Sequence, residues 1–271
     1  MLRRLFAVGL VGVAAIAGTS GYLAAYPGGT PTIVTNAAPY CATCHSSVNT
    51  DQLREQKPDK AAMLTIEKRH FGEIQGAQEG YAALGDDGRA KLIEQIKAID
   101  SNSNVSVALS AASVKRGAPV TVTVSTHGGG GPVIGVMLLD TDLRFQSSPI
   151  QTEGFLITAP PAVTGPDGKP QTAFIDGRAS ELTKNVNYVN IQGVSSDPVK
   201  GTYPDCKVVY TLKAPADAGT YTVTAAFLYG TEKASPLGRH ESPDGRVFPV
   251  GGGGAHSGRI AFAKVQKLTV N

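Results

Sequence analysis

Residues 120–140 read VTVTVSTHGGGGPVIGVMLLD, and this stretch decides the fold. Val120, Val122 and Val124 alternate with Thr121, Thr123 and Ser125, the period-two pattern of a strand with one buried face. After four glycines, residues 132–140 (PVIGVMLLD) are apolar almost throughout, as expected for a central strand covered on both sides. Working outward, strand patterns recur at residues 105–114 (VSVALSAASV), 188–192, 206–213 (CKVVYTLK), 220–229 (TYTVTAAFLY) and 259–270 (RIAFAKVQKLTV). About seven strands, separated by Gly, Pro and Asp turns, argue an all-β antiparallel sandwich over residues 104–271. Long connections at 159–183 and 232–257 absorb the surplus length.

Upstream the texture differs. Residues 59–75 (DKAAMLTIEKRHFGEIQ) predict a helix that starts at Asp59 after Pro58 and carries Met63, Ile66, His70 and Ile74 on one face. Residues 88–99 (GRAKLIEQIKAI) predict a second helix, with Leu92, Ile96 and Ile99 as its buried stripe and Asp86 or Asp87 as its cap. Residues 100–104 (DSNSN) break the pattern and read as a linker. The fold class expected is therefore α+β and multidomain: a small all-α domain at 26–103, then the sandwich. Residues 1–25 begin with Arg3 and Arg4 and continue as the apolar run LFAVGLVGVAAIAG at 5–18, with sparser apolar residues to Ala25. They read as a cleaved signal peptide or as an uncleaved N-terminal membrane anchor. Both readings place the remainder outside the inner membrane, in the periplasm or beyond.

The chain has 271 residues, 41% hydrophobic and 17% charged, with 32 Gly, 17 Pro and no Trp. Its formal charge is +3, and Arg3 and Arg4 supply two of those charges. Such a balance argues against nucleic acid as a partner.

The chemistry-bearing motif is Cys41-Ala42-Thr43-Cys44-His45. C-x-x-C-H is the spacing for covalent c-type haem attachment. Each thiol adds across one vinyl group of the porphyrin, and the adjacent His lies under the iron. A zinc site would want further cysteines or a close histidine pair, and the only other cysteine is Cys206. One covalent haem c is therefore expected, bound by Cys41 and Cys44 with His45 as the axial ligand. For the sixth position the candidates are His70, Met63 or an open site. Cys206 reads as a small buried side chain that begins a strand. His127, before Gly128–Gly131, and His256, after Gly251–Gly254, sit beside glycine runs that lack the Gly-Lys-Ser/Thr of a phosphate loop. Both read as flexible, solvated loops, since loop histidines are usually exposed; the other reading is that the two loops meet at one end of the sandwich, where glycine permits close approach, and bind a metal or face the haem. His240 carries still less information. No Ser-His-Asp arrangement can be argued from spacing alone.

On Cys41, Cys44, His45 and the closing helix with IEQIKAI, residues 26–100 resemble small monohaem cytochromes c. In that family a distal Met usually precedes the last helix. Residues 72–87 contain none, which favours His70. On residues 120–140, residues 208–230 and Leu212-Lys213-Ala214-Pro215, the second part resembles the Reeler-like sandwiches, without their paired cysteines. These resemblances imply an exported electron carrier working between redox partner proteins, with the sandwich docking a partner or packing on the haem. The rival expectations are a haem enzyme or sensor with an open iron, and a structural or adhesion protein led by the sandwich.

Overall fold

The structure, a computed structural model, describes residues 45–175, 186–232, 237, 239–241, 244–249 and 256–271. The apolar segment at 5–25 and both motif cysteines, Cys41 and Cys44, lie outside the described residues. Among those described, no helix is long and apolar enough to cross a membrane.

The chain enters as a two-residue strand, β1 (Ser46–Ser47), followed by a helical turn at Thr50–Leu53 and a short helix α1 (Pro58–Ala62). A π-helical turn (Glu67–Phe71), α2 (Gly72–Gln75), another turn (Glu79–Leu84) and the long α3 (Gly85–Ser101) follow. Then come β2 (Asn104–Leu109), β3 (Ser113–Val114), β4 (Pro119–His127), β5 (Gly130–Leu139), β6 (Leu156–Ile157), β7 (Ala162–Thr164), β8 (Pro170–Gln171) and β9 (Tyr188–Ser195). The last are β10 (Asp205–Lys213), β11 (Gly219–Gly230), β12 (Arg239–Glu241), β13 (Val247–Pro249), β14 (Gly258–Phe262) and β15 (Gln266–Val270).

Two sheets form a sandwich. One runs β2-β4-β10-β7-β8, with β6 also on β10. In the other, β11 is the spine. β5 lies along one of its edges and carries β9, while β15 and β14 share the opposite edge, paired with Gly219–Val223 and Ala226–Gly230 respectively. The alternation reads out directly: Val120, Val122 and Val124 of β4 and Val208, Tyr210 and Leu212 of β10 point into the core between the sheets. They meet Ile134, Val136 and Leu138 of β5 and Val223, Ala225 and Phe227 of β11. The opposite face of β5 and β11 is buried too, with Met137, Leu139, Ala226 and Leu228 joining Tyr188 and Ile260. Burial on both faces is why these two strands read as continuous apolar runs.

Residues 45–103 correct the expected fold class. Among the described residues no small all-α domain is seen, and α3 is the one long helix. The helix expected over 59–75 breaks after Ala62. The physical reason is strand β1: Ser47 N donates to Leu64 O (3.0 Å), and Thr65 bridges to Ser47, so Leu64 and Thr65 leave the helix. Met63 is thrown outward and is 63% exposed. The π turn then resets the phase, so that the adjacent His70 and Phe71 are both buried. Ile66, Phe71 and Ile74 pack with Tyr81, Leu92, Ile93 and Ile96 in a small cluster of their own. Ile99, the last residue of the α3 stripe, belongs to the sandwich core instead.

The glycine run at 128–131 is buried, not a solvated loop. Gly129 has φ +70°, and a Cβ there would stand 2.7 Å from both Phe227 and Tyr229. Its N–H donates to Ser103 Oγ (2.7 Å) and its carbonyl accepts from Ser196 Oγ (2.6 Å), so the run pins the end of the helical segment onto the sandwich. Gly168 has a similar φ of +76° with nothing near its missing Cβ. Gly129→Ala is expected to lose about 2–4 kcal/mol, combining the left-handed backbone cost with overpacking, and Gly168→Ala only about 1–2 kcal/mol. Urea unfolding midpoints of the two variants test this; equal losses would show that close approach at Gly129 is not what the glycine serves.

Candidate haem-attachment site

His45 emerges from the C-x-x-C-H motif directly into β1. That strand lies parallel to β14, with Ser46 opposite Arg259 and Ser47 opposite Ile260, and Val48 N donates to Ile260 O (3.2 Å). The residues directly after the motif thus form an edge strand of the sandwich, joined across more than two hundred residues of chain. His45 Nδ1 donates to the carbonyl oxygen of Arg259 (3.2 Å). The carbonyl of His45 accepts from Arg69 Nη1 (3.1 Å) and from Arg144 Nη2. Arg144 is itself fully buried and also donates to Ser47 Oγ. Burial above all, helped by the positive charges of Arg144, Arg259 and Arg69, pulls the His45 imidazole down to about 4, against the opposing backbone hydrogen bond. His45 is therefore neutral near pH 7. With its hydrogen on Nδ1, the lone pair is on Nε2, which has no hydrogen-bond partner among the described residues. This is the tautomer and second-shell contact that metal-bound histidines use. The chemistry of His45 fits an axial iron ligand; its companions Cys41 and Cys44 are outside the described residues.

His70 is placed differently from the role expected for it. It is completely buried. Its Nδ1 accepts from Arg259 Nη2 (3.0 Å), because a guanidinium only donates. Its Nε2 then donates toward Glu232 Oε1 (3.2 Å) and Tyr81 Oη (3.0 Å). In this arrangement neither nitrogen is left for iron. Tyr81 Oη donates to the same Glu232 oxygen (2.7 Å), and Thr231 Oγ1 donates to the other (2.6 Å). Burial works against the charge of Glu232, yet hydrogen bonds from His70, Thr231 and Tyr81 hold its carboxyl below the usual carboxylate range, down to about 2. Arg259 completes the network. Its Nε and Nη2 reach Asp100 at the end of α3, each at 3.1 Å, and its Nη1 donates to His256 O (3.0 Å). Burial alone would lower the Arg259 guanidinium; Asp100, Tyr229 and Glu232 outweigh it and raise it.

The remaining candidates divide. His256 meets the site: its carbonyl accepts from Ser46 Oγ (3.0 Å), and its Nδ1 pairs with a Glu73 carboxylate oxygen on α2. His127 does not; it pairs with Asp205 across β4 and β10 (2.7 Å), beside Tyr203. His240 falls in β12, with its side chain outside the described residues. Cys206 is a buried free thiol that begins β10, and burial pushes it up to about 11, so it is no thiolate. Among the described residues, no three His, Cys, Asp or Glu side chains converge as a metal-binding group. Arg259, Glu232, Asp100 and Arg144 were not singled out in the sequence. The one available signal was an arginine inside the apolar strand RIAFA.

No family model matches the chain, and no curated protein matches it. The solved structures that resemble it do so only weakly. BslA, a bacterial hydrophobin, is 13% identical over 63% of this chain and 95% of its own, with a TM-score of 0.32. The N-terminal domain of a Streptococcus gordonii adhesin is 12% identical over 64% of this chain and 33% of its own, also at 0.32. A collagen-binding domain from a Staphylococcus aureus adhesin is 15% identical over 56% and 87%, at 0.25. The resemblance to small monohaem cytochromes c fused to a Reeler-like domain is corrected: no family model matches, and the described residues are mostly strand around a single long helix, with no metal-binding group of three or more side chains among them.

The network also sets a pH dependence. A carboxyl depressed on folding stabilises fully above its unfolded value near 4.5, and that stability is lost as pH falls toward about 2. Glu232 faces His70, Tyr81, Thr231 and, through His70, Arg259. Glu232→Gln is expected to cost about 3–5 kcal/mol at pH 7, since it leaves buried partners uncompensated. It is also expected to flatten the stability profile between pH 4.5 and 2. Thermal melts across that range check it; a variant as acid-sensitive as the parent contradicts the assignment.

Proposed function

We propose that the chain is an exported carrier of single electrons, with one haem linked to Cys41 and Cys44 and its iron on His45, mounted on the β-sandwich. The observation that carries this reading is the C-x-x-C-H motif ending in a neutral imidazole whose Nδ1–H is tied to Arg259 O, leaving Nε2 for iron. When bound, a haem supplies a one-electron Fe(III)/Fe(II) couple.

The chain's own residues do the rest. Arg259 O fixes the ring plane and tautomer of His45. The β1–β14 pairing holds that ring against the backbone of β14, so little has to move when charge changes. Arg144, Arg259 and Arg69 set a positive potential at His45, which disfavours further positive charge there and so favours the reduced state. The partners are redox proteins on the outer side of the membrane, in keeping with the basic and apolar leader at 1–25.

The test is the full chain, produced in a host competent to mature covalent haem. A coloured protein that keeps its pigment through acidified organic extraction, with about one haem per chain and a reversible one-electron couple, is expected. Cys41→Ala/Cys44→Ala is expected to be colourless. A colourless parent protein, or pigment that extracts freely, would overturn the proposal.

A further inference from the structure

Resting on that reading, we infer that His256, not His70, is the second axial ligand of the iron, with Glu73 orienting it. Besides His45 the chain has four histidines, and the side chain of one, His240, lies outside the described residues. His70 has both nitrogens committed inside the buried network. His127 is bound to Asp205 at the β4–β10 pairing. Met63, the thioether candidate, faces outward.

His256 lies beside the segment that carries His45. It sits three residues before Arg259, on the approach to β14. The residue after His45, the fully buried Ser46, donates from Oγ to the His256 carbonyl (3.0 Å). Arg259 Nη1 donates to the same carbonyl (3.0 Å) while its own carbonyl holds His45. The two imidazoles are thus anchored to one short stretch of backbone, 256–259.

The chemistry of the two rings matches. His45 Nδ1 is satisfied by a backbone carbonyl, and His256 Nδ1 by the Glu73 carboxylate. A backbone carbonyl and a carboxylate are both partners that orient a metal-bound imidazole through its other nitrogen. In each ring Nε2 has no hydrogen-bond partner among the described residues. A half-buried histidine held through Nδ1 by a carboxylate from another element has its ring fixed in place, as a ligand needs and a solvated loop residue does not show.

Electron paramagnetic resonance and visible absorption of the haem-loaded full chain test the inference, with covalent haem content measured on each sample. The parent is expected to be low-spin and to resist cyanide. His256→Ala is expected to keep its haem, lose the low-spin signal, bind cyanide readily and return to low-spin on adding imidazole. His256→Met keeps a ligating side chain; it is expected to stay low-spin with a raised reduction potential and the far-red thioether charge-transfer band. Glu73→Gln is expected to stay low-spin with shifted g values. A high-spin parent, or haem-loaded His256→Ala and His256→Met with unchanged low-spin spectra and potential, would overturn the ligand assignment. Absence of haem from every sample, the parent included, would instead overturn the underlying haem reading.

Discussion

Arg259 ties the motif, the helical segment and the sandwich together through a single residue. Its carbonyl oxygen holds the ring of His45, and its guanidinium reaches Asp100 at the end of α3, His70 in the π turn and the backbone of His256. A buried guanidinium is costly unless every N–H is met and a carboxylate is near. Here Asp100 and Glu232 supply the negative charge, so the helical segment can only dock where those two acids meet the arginine. The ion network thereby fixes how residues 45–103 sit on the sheets, and the β1–β14 pairing carries the same constraint to the motif. The apolar cluster around Ile74, Tyr81 and Ile96 supplies burial; the charged network supplies position.

The strands were legible because their periods differ for a physical reason. Val120, Val122 and Val124 alternate since the outer face of β4 meets water, and β10 repeats this through Cys206, Val208, Tyr210 and Leu212. β5 and β11 lose the alternation because both their faces are covered. The long helix α3 was legible from Leu92, Ile96 and Ile99. The helix at 59–75 was not: its apolar spacing is genuine, but a two-residue strand from upstream takes the carbonyl of Leu64, and nothing local announces that competitor. A helical rhythm beside C-x-x-C-H suggested an all-α haem domain, whereas the described residues that follow the motif are a strand, short helical turns and one long helix.

At the site, the motif itself could be read, but the geometry around it could not. His45 and Arg259 are 214 residues apart, and His70 meets Glu232 and Arg259 across 162 and 189 residues. Periodicity placed His70 on a buried face correctly, yet the same burial delivered it to a carboxylate and a guanidinium rather than to an open nitrogen. The glycine run at 128–131 shows the converse: a stretch that looked free to move is where two elements come closest, and glycine is required because a Cβ at 129 would enter the rings of Phe227 and Tyr229.

The central claim is that the residues following His45 are a strand of the sandwich. Amide hydrogen exchange on the full chain, resolved over residues 46–48 and 258–262, tests it most directly. Ser47 N is bonded to Leu64 O and Val48 N to Ile260 O, so both amides should be protected and should open together with β14 as denaturant is added. Immediate exchange at Ser47 and Val48, while Ile260 and its β11 partners stay protected, would contradict the account.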